Sequence, residues 1–238
     1  MIRTWAFAPL PFLAFGLLLG VAGCTSSSGE PGGPELPDAG SLADQLAERS
    51  SLEGPARVSF SWELREPDVR MSGQGLARVE PPYQARLDLF SEDHWETVSV
   101  AALVDHELRV PQGVRDDLIP TPGLLWAALG VFHPEPGMAL LRGSALNGDE
   151  GDGVLLEYQD QSGAELRFRL PDGEQVIEAE LLRNGRVVEE VELSGEHEER
   201  FPREARYRNV EDTRELRIVL DSVEHVESFA DHIWDPRD

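Results

Sequence analysis

Alternation of apolar and polar residues is the main pattern along this chain. From Val58 to Leu64 every second side chain is apolar, and serine or glutamate stands between. A period of two places one apolar and one polar face on opposite sides of a strand. The pattern recurs over residues 85–89, 165–170, 177–181, 187–193 and 216–220. It predicts a protein made mainly of antiparallel β-strands.

Turn sequences separate these segments and predict their connections. Asn184-Gly185 lies between two of them, and this pair tolerates the positive φ angles of a tight hairpin. Pro171-Asp172-Gly173 and Ser162-Gly163 separate the preceding segments. The region from Val154 to Leu193 is therefore predicted to be a four-stranded meander. Each strand has one apolar face, so a helix, a second sheet or a ligand must cover it.

Two segments depart from the two-residue period and predict helices. Residues 120–132 have prolines at their start, a glycine near their end and apolar side chains nearly all round. Such a helix is normally buried, and its natural place is against the apolar face of the sheet. A second short helix is expected from Ser41 to Arg49, with Ser41 as its N-cap.

The first 24 residues have the layout of an export signal. Arg3 precedes an apolar run, and the small pair Ala22-Gly23 stands directly before Cys24. This order is typical of a secretory signal peptide, and the cysteine after it resembles a bacterial lipobox, in which the thiol is acylated. An ordinary signal peptide with a chance cysteine and a short membrane helix are the alternatives. Two prolines interrupt the run, which is shorter than the roughly 20 residues of a spanning helix. We therefore expect Cys24 to be lipidated.

The composition divides the chain into three parts. We expect a signal peptide over residues 1–23, a lipidated flexible tether over residues 24–40 and one domain over residues 41–238. The tether is rich in serine, glycine and proline, a composition that cannot bury a core. The remaining chain, roughly 200 residues, suits a single domain that we expect to be a monomer.

The charge of the chain limits its partners. It has 45 acidic and 21 basic side chains, for a net charge of −24. This charge argues against nucleic acid and against electrostatic attraction to anionic lipid. Attachment to a membrane must then come from acyl chains on Cys24. Once this single cysteine is acylated, no thiol remains for disulfides, metal thiolates or catalysis.

Histidines next to acidic residues are the first candidates for catalysis. His94 follows Asp93, and His106 stands between Asp105 and Glu107. Adjacent residues on a strand point to opposite faces, so neither pair is expected to converge on one site. We find no nucleophile elbow and no phosphate-binding glycine loop. We expect no catalytic residue, and the protein is not predicted to be an enzyme.

Two other groups are candidates for metal binding, and neither has a matching pattern. His225, Asp231 and His232 have a spacing that fits no zinc site. The acidic, glycine-rich stretch over residues 147–153 lacks the ligand order of an EF-hand and is interpreted as a turn. The acidic run over residues 196–199 is interpreted as a solvated loop. We expect no metal and no cofactor.

The order of these elements resembles a known superfamily. A helix precedes the strand Arg57–Leu64, and a glycine-marked strand follows at Gly73–Val79. The remaining matching segments are residues 82–90, the apolar helix around 124–129, and residues 201–205, 216–223, 229 and 234–236. Together they resemble the LolA/LolB superfamily of lipoprotein carriers and receptors, over about residues 42–236.

The resemblance implies a strongly curved antiparallel sheet, an incomplete barrel, whose mouth is covered by helices. The hollow of this fold binds acyl chains through the hydrophobic effect. The resemblance also implies two groups of binding residues. Those that would line the hollow are Val58, Phe60, Trp62, Leu87 and Leu89, and those on the lid are Leu125, Trp126, Leu129 and Phe132. The alternative is that these side chains simply fill a core.

The chain departs from the receptors of this superfamily in one loop. LolB carries an exposed apolar residue between early strands, whereas residues 65–70 here are mostly charged, with only Val69 as a substitute. The expected function is therefore general: a lipoprotein of the cell envelope, anchored through Cys24, that binds acyl chains of lipids or lipoproteins. A LolA-type carrier is a possible partner, and the outer membrane, facing the periplasm, is the expected location. The alternative is a structural lipoprotein with a filled barrel that recruits a basic partner.

Overall fold

Twelve β-strands form most of the protein in the computed structural model, which describes residues 33–92, 96–146, 153–171, 175–195 and 200–236. The described residues belong to one compact unit. The strands are β1 (Ala56–Arg65), β2 (Arg70–Glu80), β3 (Gln84–Ser91), β4 (Thr97–Val104), β5 (Glu107–Arg109), β6 (Ala139–Ala145), β7 (Val154–Gln159), β8 (Glu165–Leu170), β9 (Glu178–Arg183), β10 (Arg186–Ser194), β11 (Glu204–Asn209) and β12 (Arg214–His225). The helices are α1 (Ala39–Ser50) and α2 (Pro122–Ala128), with 3₁₀ turns at Asp116–Leu118 and Asp231–Trp234.

All twelve strands belong to a single antiparallel sheet in the order β5-β4-β3-β2-β1-β12-β11-β10-β9-β8-β7-β6. The first and last strands pair at its centre, where Trp62 lies opposite Ile218. The outermost strands, β5 and β6, do not pair with each other, so the sheet is a curved, incomplete barrel. The predicted fold class, mainly β with covering helices, is confirmed.

The predicted meander is confirmed as β7 to β10, in which consecutive strands are neighbours. Its last hairpin turns at Asn184 and Gly185, whose φ angles are 53° and 71°. Two successive positive φ values are those of a type I′ turn, which matches the twist of the strands. The predicted inward position of Val187 is wrong. A bulge between Val187 and Glu189 shifts the register, so Val188 is buried instead.

The predicted N-terminal helix is confirmed as α1, but its predicted cap is wrong. Asp38 occupies the N-cap position, while Ser41 lies inside the first turn. Leu46 is the most deeply buried residue of this helix. Before the helix, the Leu36 amide donates to the Gly143 carbonyl on β6 at 2.8 Å, so the folded unit begins before residue 41.

The predicted apolar helix is confirmed as α2, which is buried on all sides. Pro122 is its first residue, a position that leaves no helical hydrogen bond unmade. Gly130, with φ at 77°, lets the chain leave the helix. The helix packs against β9, β10 and β11.

The polar face of the sheet carries rows of ion pairs between strands. Buried Asp88 binds Arg78 and Arg86, and buried Glu157 binds Arg142 and Arg167. A carboxylate removed from water is costly unless it is paired in this way. The charged residues that alternate with apolar ones along the strands therefore form ion pairs on the polar face of the sheet.

Several predicted features lie outside the described residues. They are the leader with Cys24, most of the tether, His94, residues 147–152 and the acidic run 196–199. Within the part of the chain that the structure describes, no helix is both long and apolar enough to cross a membrane.

Candidate functional site

An apolar cavity lies between α2 and the concave face of the sheet. Its volume is about 50 Å³, and its walls are almost entirely apolar. The lining residues are Val58, Phe60, Ala77, Leu87, Leu125, Ala128, Leu129, Phe201, Pro202, Ala205, Ile218 and Leu220. Pockets that hold small molecules are larger, at roughly 300–1,000 Å³. In this state the half-barrel is therefore almost filled by its own side chains.

The structure brings five of the nine predicted binding residues together around this cavity. Val58, Phe60 and Leu87 stand on the strands, and Leu125 and Leu129 face them from α2 and its C-cap. The helix therefore forms one wall of the cavity, in the position of a lid.

The other four predicted residues are buried elsewhere. Leu89 lies in the core, fully covered. The indole of Trp62 donates to the carbonyls of Gln74 and Phe90 at 3.0 and 3.2 Å, which ties three strands of the wall.

Phe132 packs on the rings of Tyr158 and Phe168, with centroids at 6.1 and 4.8 Å. Phe132 thus packs against β7 and β8 and does not line the cavity. The fourth residue, Trp126, also faces away from the cavity, toward the turn between β4 and β5.

Seven lining residues were missed by sequence reasoning. Ile218 and Leu220 belong to an apolar alternation that was recognised, but their position opposite Trp62 and Phe60 depends on the pairing of β1 with β12. Residues separated by about 160 positions cannot be paired from local pattern alone. The others are small or lie in a loop: Ala77, Ala128, Phe201, Pro202 and Ala205.

Glycines on β2 shape the wall of the cavity. A Cβ atom added at Gly75 would stand 2.0 Å from Cε2 of Phe60. One added at Gly73 would stand 1.8 Å from the Phe90 carbonyl oxygen. The large aromatic side chains of β1 can lie flat on β2 only because these positions have no side chain.

A second, more polar cavity of about 420 Å³ adjoins the apolar one. The two share Leu129 and Phe201 in their walls. Arg200 stands at this cavity, where its guanidinium donates to the Arg49 carbonyl at 2.9 Å and pairs with Glu53 at 2.7 Å. An apolar chamber thus opens beside a polar vestibule that is large enough for a ligand.

Carboxylates hold the N-terminal end of α2. The Thr121 amide donates to Oε2 of Glu189 at 3.3 Å, and the hydroxyl of Tyr207 donates to the same oxygen at 3.2 Å. The Gly123 amide donates to Oε1 of Glu135 at 3.2 Å. Burial raises the pKa of Glu189 above its ordinary value, against the effect of the hydrogen bonds from Thr121 and Tyr207. These contacts satisfy amides that a helix leaves free at its start.

The side chain of Trp126 connects the middle of α2 to the turn between β4 and β5. Trp126 is fully buried, and its Nε1 donates to the Asp105 carbonyl at 2.7 Å. The indole also meets the rings of Tyr83 and His133 edge-on, at 5.8 and 5.9 Å. Trp126 therefore links the lid to the turn between β4 and β5.

That turn places an acidic side chain beside two histidines. Nε2 of His133 lies 2.8 Å from Oδ1 of Asp105, and Nε2 of His106 lies 3.4 Å from it. The expectation that Asp105 and His106 cannot converge is wrong, because they form a turn in which Asp105 has φ at 56°, and not an extended strand. Burial lowers the pKa of His106 to about 4, with a smaller contribution from His133.

The second candidate group, at His225, Asp231 and His232, is compared with this cluster. Among the described residues, the only set of three or more possible metal ligands with neighbouring donor atoms is Asp105, His106 and His133. His225, Asp231 and His232 do not form such a set there, and no metal was predicted at them.

The loop between β1 and β2 is held by charge. Glu66 accepts from Arg115 at 2.6 Å and from Arg214 at 2.7 Å, and both arginines also bind Asp117. The arginines lower the pKa of Glu66. Val69 is 39% exposed at this loop. The loop is thus fixed by ion pairs, as its charged sequence suggests.

Comparison with solved structures identifies the fold. The chain is similar to a LolA superfamily protein from Nitrosomonas europaea, with a TM-score of 0.56 and 13% identity over 82% of this chain and 96% of that chain. It also matches a putative outer membrane lipoprotein-sorting protein domain from Vibrio parahaemolyticus, with a TM-score of 0.47 and 10% identity over 82% and 94% of the two chains. No protein-family model and no curated protein matches the sequence. The first similarity, with the sheet topology, shows that the fold is LolA/LolB-like.

Proposed function

We propose that this protein binds the acyl chain of a lipid or lipoprotein between α2 and the concave face of its half-barrel. The observation that carries the proposal is the apolar cavity at that place, whose two walls belong to different elements. A chain inserted there would replace contacts between the lid and the sheet with contacts of the same apolar kind. The chemistry is binding, and no bond is made or broken.

The small volume of the cavity makes movement of α2 part of the mechanism. A cavity of about 50 Å³ is too small for an acyl chain, so the helix must move away from the concave face of the sheet when the ligand enters. The helix is short and its neighbouring segments, residues 110–121 and 129–138, are mostly without regular structure. These connections allow it to shift without disturbing the strands.

The cost of this movement can be compared with the gain. Three hydrogen bonds hold the helix, through Thr121, Gly123 and Trp126. Breaking them costs about 3 kcal/mol if each contributes about 1 kcal/mol. Each methylene of the ligand that leaves water contributes about 0.8 kcal/mol. About four buried methylenes therefore offset these three hydrogen bonds. A longer acyl chain must bury further methylenes to offset the cost of association as well.

The polar vestibule determines the orientation of the ligand in the proposed complex. It adjoins the apolar cavity at Leu129 and Phe201, so a chain can enter there while its head group remains among polar side chains. Arg200 is 54% exposed at its side chain and stands in this vestibule. A ligand with an acyl chain and a polar or anionic head, such as a lipid or a lipidated peptide, fits both cavities together.

The proposed location follows from the sequence. Cleavage before Cys24 and acylation of its thiol would anchor the protein in the cell envelope, with the outer membrane as its site. A soluble carrier of the LolA type could then deliver the ligand. The similarity of fold supports this setting, and the specific partner is part of the proposal.

The test compares two ligands that differ only in their acyl chains. We would produce residues 25–238, omitting Cys24, and titrate them with a triacylated lipopeptide and with its unacylated twin. Saturable binding of the acylated form alone is the expected result. Leu129→Asp places a charge between the two cavities and should weaken binding at least tenfold. Leu141→Asp is the matched control, because Leu141 is 58% exposed on β6, away from both cavities.

The alternative function is a structural lipoprotein whose barrel is permanently filled, and the small size of the cavity favours it. Absence of binding by either peptide, with an intact fold, would overturn the acyl-binding proposal. Salt-sensitive capture of a basic envelope protein would then support the alternative, in keeping with the net charge of −24.

A further inference from the structure

We propose that Asp105, His106 and His133 form a binding site for a divalent transition-metal ion of the zinc type. The site lies on the opposite side of Trp126 from the apolar cavity. Two of its ligands come from the turn between β4 and β5, and the third comes from the segment that follows α2. The proposal does not depend on acyl binding.

The donor atoms already stand close together. Nε2 of His106 and Nε2 of His133 lie 3.4 and 2.8 Å from the same carboxylate oxygen, and all three ligand atoms lie within 4.8 Å of one another. Ligand bonds to zinc are about 2.0–2.2 Å long, so two atoms bound to one ion are about 3 to 4 Å apart. Small side-chain rotations would therefore place one ion among the three atoms.

The rings of the two histidines are held in position by their neighbours. The ring of His133 stacks on that of Tyr83 at 3.6 Å and on that of His106 at 4.2 Å. Both Nε2 atoms lie near the Asp105 carboxylate. Because an imidazole binds an ion in the plane of its ring, one of the two stacked rings must tilt for both Nε2 atoms to bind the same ion.

An unpaired buried atom is the second observation. Nδ1 of His106 is inaccessible to water and has no hydrogen-bond partner among the described residues. A buried polar atom without a partner is costly in a structure whose buried groups are otherwise paired. Because Nδ1 is inaccessible, Nε2, which lies next to Asp105, is the nitrogen of His106 that can bind an ion.

The ligand set selects the type of ion. Imidazole nitrogen suits zinc, copper and nickel, whereas calcium and magnesium prefer oxygen ligands. Two histidines and one carboxylate are a known zinc ligand set. The carboxylate side chain of Asp105 is 63% exposed, so water can reach the site and supply a fourth ligand. An accessible three-residue site of this kind exchanges its ion with solvent.

The position of the site couples it to the lid. The Asp105 carbonyl accepts the hydrogen bond of Trp126, while His133 lies five residues after the end of α2. A bound ion would join the turn and the lid segment through three coordinate bonds, two from the turn and one from His133. We expect the ion to stabilise the position of α2 that the structure shows.

The experiment measures zinc binding directly by calorimetry at pH 7, with the chain from residue 25 onward and no chelating tag. We expect one ion per chain. His106→Ala and His133→Ala should each weaken zinc binding at least tenfold, and Asp105→Asn should weaken it without removing a side chain from the turn. His232→Ala is the matched control, because His232 is exposed and lies outside the cluster.

Two further measurements separate the outcomes. Circular dichroism of each variant shows whether it folds, and cobalt titration shows from its visible absorption whether nitrogen and oxygen ligands surround the ion. Absence of zinc binding by the native chain would overturn the proposal, as would binding that the cluster variants leave unchanged. Failure of the lipopeptide titration would leave this result untouched, so the two proposals fail separately.

Discussion

Replacing Trp126 with phenylalanine tests whether this side chain restrains the lid. The indole Nε1 donates to the Asp105 carbonyl at 2.7 Å, and the ring is fully buried. Phenylalanine keeps an aromatic ring in the same space but has no donor. The hydrogen bond between the lid and the turn is then lost, and a small void replaces part of the indole.

The change should have opposite effects on folding and on binding. The lost hydrogen bond contributes about 1 kcal/mol to the free energy of unfolding, and the missing ring atoms contribute roughly another 1 kcal/mol. The variant should therefore be less stable by about 2 kcal/mol. The same bond exists only while α2 is closed, so its loss favours the open, binding-competent state by about 1 kcal/mol and should strengthen lipopeptide binding about fivefold.

Urea denaturation measures the first effect, and calorimetric titration with the triacylated lipopeptide measures the second. Calorimetry is preferable to fluorescence because the variant has lost a tryptophan. Trp62→Phe is the matched control. Trp62 also donates to backbone carbonyls, at 3.0 and 3.2 Å, but it belongs to the wall and not to the lid. It should lose stability without any gain in affinity.

Trp126 does not restrain the lid if Trp126→Phe loses stability but binds the lipopeptide no better than the native protein. In that case either α2 is not the element that moves, or its hydrogen bond to the turn survives in the bound state. An equal gain in Trp62→Phe would show instead that general loosening, and not release of the lid, improves binding.

Two further predictions concern stability. Gly75→Ala should destabilise the protein by roughly 1–3 kcal/mol, because the new Cβ would stand 2.0 Å from the Phe60 ring. Gly54→Ala should have little effect, since nothing lies within 4 Å of its Cβ. Urea denaturation compares the two variants, and equal losses of stability would contradict the close packing described for β2. The two arginines around Glu66 hold its pKa below the ordinary value of 4.5, so its contribution to stability is present above pH 4.5 and is lost as the pH falls through the lowered pKa. Thermal unfolding between pH 7 and pH 3 should thus show a smaller acid-induced loss in Glu66→Gln than in the native protein, and parallel pH profiles would contradict this role.

The local pattern of apolar and polar residues was sufficient to predict the strands, the hairpin turn and the buried helix. Alternation from Val58 to Leu64 predicts a strand because a period of two is a property of a few adjacent residues. Asn184-Gly185 predicts a hairpin because few other pairs accept two positive φ angles. The apolar segment around Trp126 predicts a buried helix because no face of it suits water. These inferences need no knowledge of distant residues.

The candidate site depended on contacts between distant parts of the chain. Ile218 faces the same cavity as Phe60 only because β12 pairs with β1. The direction of the Trp126 side chain, toward Asp105 rather than into the hollow, follows from packing around the helix and not from its composition. Four of the nine predicted binding residues therefore lie away from the cavity.

The sequence by itself determined where strands, turns and the buried helix occur, and which superfamily the chain resembles. Only the tertiary structure decided that the cavity under α2 is small, that Trp126 donates to the Asp105 carbonyl, and that His133 meets Asp105 and His106. The physical reason is that periodicity and turn chemistry act between neighbours in the chain, whereas cavities and ligand clusters arise where curvature of the sheet brings remote segments together.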